Sequence, residues 1–184
     1  MSLRIIGGAW KGRRIEAPPG LDTRPLTDRI KQSLFDWLGQ RLDGQLVADA
    51  CAGSGSFAFE AASRGAHRVH ACEPGHSFAT LATNHRALGT PAGVVLHRAP
   101  FQAVLPTLSD VDLVFADPPF PWYAEDPALV GSLLQLAAAA MKPEGILLIR
   151  GEQGASLPTV SGVRELERRT YGRSWVAKLA RIAA

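Results

Sequence analysis

The sequence is poor in cysteine and has no long apolar run, and each absence excludes a class of protein. Cys51 and Cys72 are the two cysteines in 184 residues, too few for a disulfide framework or a cysteine-based zinc site. The five histidines are scattered without metal-ligand spacing, so we expect no metal site. No segment approaches the roughly 20 consecutive apolar residues that span a membrane, and no signal peptide opens the chain. We therefore expect a cytoplasmic protein with no membrane partner.

Charge is unevenly spread along a chain of ordinary composition. Apolar residues make up 46% and charged residues 20% of the chain, which fits one folded domain over residues 1–184. The net charge is +4 over residues 1–31, −5 over 32–163 and +4 over 164–184. We expect a polyanion to be met by the two basic ends.

Residues 1–40 are predicted to form a basic extension, and residues 41–184 the core. The segments 3–6 and 13–16 flank the glycine-containing stretch "GGAWKG", which predicts a hairpin. A helix is predicted to begin near Thr27 or Asp28. Its apolar residues recur at helical spacing, and we expect these to face inward: Ile30, Leu34, Trp37 and Leu38. The polar residues between them are expected to face outward: Lys31, Gln32 and Asp36.

From residue 46 onward, strands alternate with helices. Strands are predicted at residues 46–51, 68–72, 94–96, 111–116 and 146–150, and helices at 57–64, 77–88 and 127–140. Asp126 is predicted to be the N-cap of the last helix, with Pro127 at its first position. Residues 165–170 and 174–182 are predicted to form a terminal hairpin. Strands this continuously apolar indicate a parallel sheet covered on both faces, which is a doubly wound α/β fold.

A glycine-rich loop lies between the first core strand and its helix. In "DACAGSGSFAFEA" (residues 49–61), Gly53, Gly55 and Ala58 fit the pattern G-x-G-x-x-G/A. Glu73 ends the next strand, where a carboxylate can accept hydrogen bonds from ribose hydroxyls. Asp49 stands at the exit of the first strand and would repel the pyrophosphate of a nicotinamide cofactor. It suits the positive charge of S-adenosylmethionine, although a nicotinamide oxidoreductase stays open at this point.

The segment "VFADPPF" places a carboxylate and two prolines after another buried strand. Pro118 and Pro119 stiffen the chain and remove two backbone donors, so carbonyl and carboxylate oxygens remain as acceptors. Asp117 and the Pro118 carbonyl can accept both N–H bonds of a nucleobase amine, and Phe120 can stack on the base. We expect Asp49, Glu73 and Asp117 to meet at one edge of the sheet.

These segments carry a resemblance to a known family. Asp-Pro-Pro-Phe after a Gly-x-Gly loop resembles class I amino-methyltransferases. The whole chain is similar to the RsmD family of 16S ribosomal RNA guanine-N2 methyltransferases, through "RIIGGAWKGRRI", "TRPLTDRIKQSLFDWL", "DACAGSGSFAFEAASRGA" and "VFADPPF". The resemblance implies a Rossmann-like sheet of about seven strands with the last antiparallel, and a small N-terminal hairpin and helix.

The resemblance also implies a reaction, a cofactor and a partner. The reaction is methyl transfer from S-adenosylmethionine to one guanine N2 amine of 16S rRNA, on an assembled or assembling small subunit. The implied catalytic residues are Asp117, Pro118, Pro119 and Phe120. The implied cofactor-binding residues are Asp49, Gly53, Ser54, Gly55, Glu73, Arg98, Ala99 and Asp117. The implied RNA-binding residues are Arg4, Lys11, Arg13, Arg14, Arg24, Thr27 and Arg29.

Two positions depart from the family pattern. Arg98, before Ala99, stands where the family usually carries Asp or Asn, so we expect adenine to be read by backbone groups or by stacking. Arg150 ends the fifth strand, where the family often leads into glutamate. We expect neither departure to affect the chemistry at Asp117.

Several alternatives stay open from the sequence. A DNA or RNA adenine-N6 methyltransferase can also use Asp-Pro-Pro-aromatic, although no insert is long enough for a target-recognition region. A non-catalytic RNA-binding assembly factor of the same fold is another class. Cys51 is interpreted as a packed side chain, and the roles of Trp122 and Tyr123 beside the motif stay open. We expect a monomer.

Overall fold

A computed structural model describes residues 2–18 and 26–182, and strands alternate with helices along most of it. The strands are β1 (Ser2–Arg4), β2 (Arg14–Glu16), β3 (Leu46–Asp49), β4 (Arg68–Cys72), β5 (Val94–His97), β6 (Val111–Ala116), β7 (Met141–Glu152), β8 (Val163–Tyr171) and β9 (Ser174–Arg181). The helices are α1 (Asp28–Leu38), α2 (Ser56–Ser63), α3 (Phe78–Ala87), α4 (Phe101–Val104), α5 (Trp122–Glu125) and α6 (Pro127–Ala140). Within the described ranges, no helix is long and apolar enough to cross a membrane.

The core is a seven-stranded sheet with the order β5-β4-β3-β6-β7-β9-β8. Strands β3 to β7 pair in parallel, while β9 runs antiparallel to both β7 and β8. The predicted α/β sheet with an antiparallel last strand is confirmed. The chain reverses its direction of winding between β3 and β6, which makes the carboxyl ends of those strands the expected ligand crevice.

Each face of the sheet has its own buried cluster. On one face, the rings of Phe35 in α1, Phe57 in α2 and Phe115 in β6 stack in sequence, with centroid separations of 5.3 and 3.9 Å. On the other face, α6 contacts β7, and its Val130 and Leu134 belong to a buried cluster that also contains residues of β6 and β7. Stacked or offset aromatic pairs add about 0.5–1.5 kcal/mol to the burial of their surfaces.

The helix starts follow the capping residues in the sequence. The Thr27 hydroxyl accepts from the amide of Ile30 at 3.4 Å, and Gly39 ends α1 in the left-handed conformation with φ +91°. The Asp126 carboxylate accepts from the amide of Leu129 at 3.0 Å, with Pro127 in the first turn. The predicted cap at Asp126 is confirmed.

The predicted N-terminal hairpin forms from β1 and β2 and is fixed to α2 by Glu60. Its two carboxylate oxygens accept from the amides of Ile6 at 2.9 Å and Gly7 at 2.8 Å. Glu60 also contacts Lys31 at 3.3 Å and Arg64 at 3.0 Å, and Glu60 and Lys31 are fully buried. The prediction that Lys31 faces outward is wrong, because the hairpin covers that side of α1 and the Lys31 ammonium donates to the Arg4 carbonyl.

The two glycines of "GGAW" allow the hairpin to approach α2 closely. A Cβ on Gly7 would lie 2.2 Å from a guanidinium nitrogen of Arg64. Gly8 has φ +72°, and a Cβ there would lie 1.8 Å from the carbonyl oxygen of Ser63. Gly8 therefore needs both a left-handed backbone and the absence of a side chain.

Three features of the core differ from the predicted elements. Strand β7 begins at Met141 instead of residue 146, because Met141 pairs with Val111 before a bulge restores the register at Leu113 and Ile146. Strand β3 ends at Asp49, two residues earlier than predicted, where the glycine loop begins. The short helices α4 and α5 were not predicted, since four residues are too few for a helical period.

Candidate active site

Three carboxylates lie at the carboxyl edge of the parallel strands. Asp49 is the last residue of β3, Glu73 follows β4 and Asp117 follows β6. The strands pair in register, with Asp49 opposite Ala71 on one side and Phe115 on the other. The negative charges of Asp117 and Glu73 both raise the pKa of Asp49, which places the three groups in one electrostatic site. The predicted meeting of the three carboxylates is confirmed.

Asp49 is a buried carboxylate with one oxygen unused. Its side chain is buried, and Oδ2 accepts from the amide of Ala58 at 3.2 Å. Oδ1 is buried without a hydrogen-bond partner among the described residues. Burial, and then the charge of Asp117, raise the pKa of Asp49 to about 8, and the nearby amides of Cys51 and Ala58 offset only part of this. A cation at Oδ1 would favour the ionised carboxylate, and so would oppose both the effect of burial and that of the Asp117 charge.

The glycine loop is shaped by two left-handed residues and by Glu73. Gly53 and Gly55 have φ of +53° and +84°. Glu73 accepts from the amide of Gly53 at 3.1 Å and from that of Gly75 at 2.8 Å, so its carboxylate braces the loop from the end of β4. A Cβ on Gly53 would meet nothing within 4 Å, whereas one on Gly55 would lie 2.4 Å from the Phe59 ring. Gly53 thus faces open space and Gly55 serves packing.

Ser54, Arg98 and Ala99 lie in different surroundings. Ser54 is buried, and its carbonyl accepts from the side-chain amide of Asn84 at 3.0 Å. Arg98 is exposed, with its guanidinium 5.7 Å from the centroid of the Phe78 ring. Ala99 is half-buried two residues after β5. This position therefore holds a cation that lies over the Phe78 ring, in place of a carboxylate or amide side chain that could bind adenine.

Arg150 donates a hydrogen bond to the Asp117 carboxylate, a contact that sequence reasoning missed. Nη1 of Arg150 lies 2.9 Å from Oδ2 of Asp117, and the Asp117 side chain remains 20% exposed. Burial raises the pKa of Asp117, while the charge and hydrogen bond of Arg150 act in the opposite direction. The expected independence of Arg150 and Asp117 does not hold in the structure, because Ala116 pairs with Ile149 and the residues that follow them, Asp117 and Arg150, are therefore in contact. The sequence signal was a charged residue closing the apolar run "ILLIR".

The prolines and Phe120 lead directly into α5. Pro118 is buried and Pro119 exposed, and Phe120 is half-buried with the Arg150 guanidinium 5.2 Å from its ring centroid. The amides of Trp122 and Tyr123 bond to the carbonyls of Pro119 and Phe120, so this turn begins one residue after Pro118. The segment therefore presents the Asp117 carboxylate, the Pro118 carbonyl and the Phe120 ring in sequence.

Tyr123, at the start of α5, is packed between Arg150 and Trp175. It is buried, its hydroxyl donates to the Arg150 carbonyl at 2.6 Å, and its ring meets Trp175 edge-on at 5.6 Å. Trp122 is half-buried and tilted against Phe101 at 6.4 Å.

Burial raises the pKa of the Cys51 thiol well above its usual range, which agrees with a packed cysteine that is not a nucleophile.

The predicted RNA-contacting residues lie on the hairpin and the start of α1. Arg4, Lys11, Arg13, Arg14, Thr27 and Arg29 are exposed, and Arg24 lies outside the described residues. Arg4 pairs with Asp28 at 2.5 Å, and Arg13 donates to the carbonyl of Ala87. Among the residues that the structure describes, no group of three or more potential ligands is placed to hold a metal ion.

Known structures share this sheet and its topology. The chain superimposes on "Putative methyltransferase yhhF" from Escherichia coli with a TM-score of 0.83 and 26% identity, covering 98% of both chains. A putative methylase from Haemophilus influenzae gives a TM-score of 0.77 and 25% identity over 100% of both chains. The fold, with a glycine loop and an acidic rim at the switch point, is that of a class I methyltransferase.

Sequence relatives identify the family within that class. Residues 3–179 match the family described as "Conserved hypothetical protein 95", and the chain belongs to it. It is 29% identical over 181 residues to "Putative rRNA methyltransferase YlbH" of Bacillus subtilis, covering 95% of this chain and 97% of that protein. It is 31% identical over 175 residues to "Ribosomal RNA small subunit methyltransferase D" of Haemophilus influenzae, covering 92% and 89%. These relatives confirm the predicted family and the prediction of a methyltransferase.

Proposed function

We propose that this chain transfers a methyl group from S-adenosylmethionine to the exocyclic N2 amine of a guanine in 16S rRNA of the small ribosomal subunit. The observation that carries the proposal is the Asp117-Pro118-Pro119-Phe120 segment at the end of β6, beside the unused carboxylate oxygen of Asp49. The names of two relatives support this substrate, since one refers to rRNA and the other to small-subunit rRNA.

The residues at the carboxyl edge fit a cofactor that is positive at one end and carries a nucleoside at the other. Oδ1 of Asp49 is a buried acceptor that suits an ammonium group, and Gly53 leaves open space beside it. Glu73 uses its carboxylate for two loop amides, and its oxygens retain lone pairs for ribose hydroxyls. When bound, the cofactor supplies an activated methyl group: the N–CH3 bond forms as the S–CH3 bond breaks, the bonding pair returns to sulfur, and the amine loses one proton.

Asp117 and Pro118 orient the guanine amine. Its nitrogen is a poor nucleophile because the lone pair is delocalised into the ring. Acceptance of its two N–H bonds by the Asp117 carboxylate and the Pro118 carbonyl directs the lone pair out of the ring plane. Phe120 holds the base by stacking, worth about 1–3 kcal/mol, and orientation of the two reactants can supply roughly 7–11 kcal/mol.

Asp117 also takes the proton that the amine loses. Methylation makes the N–H acidic as positive charge develops, and the carboxylate already accepts that hydrogen. A strong base is not needed, because the proton moves along an existing hydrogen bond once the C–N bond forms. The partial exposure of Asp117 gives the proton a route to solvent.

The basic hairpin supplies the RNA-binding surface in this proposal. Its arginines and Lys11 project from a short two-stranded sheet that Glu60 fixes to α2. Lysine and arginine on such a surface bind phosphates and position the RNA, but they carry no sequence information. Selection of one guanine then depends on the shape of the assembled or assembling subunit around it.

Methyl transfer from labelled S-adenosylmethionine tests the proposal. Purified chain is incubated with small subunits, with protein-free 16S rRNA and with duplex DNA, and the products are digested to nucleosides. The expected product is N2-methylguanosine in rRNA, absent with Asp117→Ala. Formation of N6-methyladenosine, or transfer only to DNA, would replace the proposal with an adenine-N6 methyltransferase. Lack of transfer with retained RNA binding would favour a non-catalytic assembly factor.

A further inference from the structure

Arg150 is a buried cation at the end of β7 in contact with the proposed catalytic segment. Its side chain is 4% exposed, between β6 and β9. A guanidinium is seldom buried without specific partners, since its desolvation is costly. The partners of Arg150 therefore indicate what it does.

The contacts of Arg150 reach two residues of the catalytic segment and the helix α5 that follows it. Nη1 bonds Oδ2 of Asp117 at 2.9 Å, and the guanidinium lies 5.2 Å from the centre of the Phe120 ring. The Arg150 carbonyl accepts from the Tyr123 hydroxyl at 2.6 Å, which joins α5 to the same residue. Ser174 of β9 lies 3.4 Å from Nε and supports the guanidinium from behind. One side chain thus fixes the carboxylate and the ring relative to each other.

The charges around Asp117 explain why a cation is required there. Asp49 of β3 is a second carboxylate at the same edge, and burial and then the charge of Asp117 raise its pKa to about 8. The Cys51 thiol and the Tyr123 hydroxyl are neighbours whose pKa values are raised by burial and further by Asp117. Arg150 is the cation that opposes the burial of Asp117 and lowers its pKa. Without Arg150, the pKa of Asp117 would rise further, so the carboxylate would stay protonated to a higher pH and would lose an acceptor.

We propose that Arg150 is a positioning residue. It holds Asp117 as an ionised acceptor, and it fixes the Phe120 ring relative to that carboxylate so that the ring can stack on the base. This inference rests on the proposed function, because it concerns the same transfer step. Arg150 engages Oδ2, so Oδ1 of Asp117 is the oxygen that accepts from the amine. The fork of a guanidinium can serve carboxylate and ring together, which an ammonium cannot.

The test compares Arg150→Met and Arg150→Lys with wild type in single-turnover methyl transfer at saturating cofactor, from pH 5.5 to 9. Arg150→Met should lower the transfer rate by roughly 100-fold, the size expected when a reacting group is misplaced by about 1 Å. In a plot of the transfer rate against pH, the fall in rate on the acid side should also move to higher pH, because the pKa of Asp117 rises without the cation. This fall is called the acid limb below. Arg150→Lys should keep the acid limb in place and lower the rate by a smaller factor, since the charge remains but the fork is lost.

Three controls separate this role from general damage. Calorimetry above pH 8, where Asp49 is ionised, should show cofactor affinity unchanged in both variants, so that a change in transfer rate there is not a change in cofactor binding. Arg68→Met, at the exposed amino end of β4, is the matched arginine control and should behave as wild type. Thermal unfolding reports whether Arg150→Met folds, and if it does not, the lysine variant decides alone.

The outcomes distinguish this inference from the proposed function. An Arg150→Met enzyme with a wild-type rate and an unmoved acid limb overturns the inference while Asp117→Ala remains inactive. An Arg150→Lys enzyme as fast as wild type also overturns it, because the fork then has no role. A wild-type protein that transfers no methyl group to guanine removes the proposed function itself.

Discussion

Nζ of Lys31 lies 3.3 Å from Oε2 of Glu60, and neither side chain is exposed. The pair joins α1 to α2, and Glu60 adds Arg64 and two amides of the hairpin. Burial lowers the pKa of Lys31, and the charge of Glu60 opposes that change. A buried carboxylate shared by two cations and two amides fixes the basic hairpin on the core.

Loss of Glu60 should therefore cost much more than loss of Lys31. Glu60→Ala removes the one carboxylate that offsets both buried cations, Lys31 and Arg64, and accepts from two hairpin amides, and we expect about 3–5 kcal/mol less stability in urea unfolding. Lys31→Met leaves the Glu60–Arg64 pair intact and removes the desolvation penalty of the ammonium, so its cost should be smaller. Equal effects of the two changes would show that Glu60 is not the centre of the network.

Asn84 connects the hairpin to the glycine loop. Its side chain accepts from the Glu16 amide at 2.8 Å and donates to the carbonyls of Glu16 at 2.9 Å and Ser54 at 3.0 Å. Asn84→Ala should lower stability by about 2–3 kcal/mol, because it leaves buried backbone groups unpaired. It should also weaken cofactor binding roughly tenfold, or about 1.4 kcal/mol, through the freed loop.

The control for Asn84 lies on the same helix. Thr83 bonds the exposed side chain of Arg86, so Thr83→Ala should change stability by no more than about 0.5 kcal/mol. Calorimetry with S-adenosylmethionine gives the affinities. If Asn84→Ala lost stability but bound cofactor as wild type, the hairpin would be independent of the cofactor loop.

Cofactor binding should depend on pH through Asp49. Burial and Asp117 raise the pKa of Asp49 to about 8 in the free protein, and a bound ammonium would bring it back down. Affinity should therefore rise as pH increases from 6 to 8, with up to about one proton released on binding at the lower pH. Calorimetry in buffers of different ionisation enthalpy measures that proton.

Asp49→Asn supplies the comparison for this titration. The variant should bind cofactor more weakly and with no such pH dependence. In the absence of cofactor, a raised pKa means that wild type loses stability as pH rises from the unfolded value near 4 to about 8. The asparagine variant should lack that loss. A wild-type affinity that is flat between pH 6 and 8 would contradict the assignment of Asp49.

RNA binding should depend on salt through the hairpin arginines. Arg13 and Arg14 are exposed on adjacent positions of the hairpin. Charge reversal of both should weaken binding to 16S rRNA. In a plot of log K against log salt concentration, the magnitude of the slope should fall by about 0.7–0.9 for each phosphate that the protein no longer neutralises. Arg68→Glu, at the opposite end of the sheet from the carboxylate rim, is the control with the same charge change. An unchanged slope in the double variant would place the RNA surface elsewhere.

The sequence predicted the sheet and the acidic rim because both follow from short-range patterns. Each strand is a continuous apolar run, and Asp49, Glu73 and Asp117 each come at the end of one, so a parallel sheet brings them to one edge. The two left-handed residues of the loop, Gly53 and Gly55, could likewise be predicted, because they are glycines in the sequence. The identity of the target nucleotide did not follow from these patterns and required the family resemblance.

The contacts that sequence reasoning missed join residues far apart in the chain. Lys31 meets Glu60 across 29 residues, Arg150 meets Asp117 across 33, and Asn84 meets Glu16 across 68. Helical periodicity gives the two faces of α1, but it does not reveal that the hairpin covers the polar face as well. A charged residue beside an apolar run looks exposed until its partner is known.

Single-turnover methyl transfer to small subunits by Asp117→Ala, at saturating S-adenosylmethionine, tests the central claim most directly. The claim is that Asp117 orients the guanine amine and takes its proton, so the variant should lose at least about 100-fold in rate, the usual contribution of one such group. Above pH 8, where Asp49 is ionised in both proteins, its cofactor affinity should stay close to that of wild type, since Asp49 and Glu73 are unchanged. A variant that methylates guanine as fast as wild type would contradict the account.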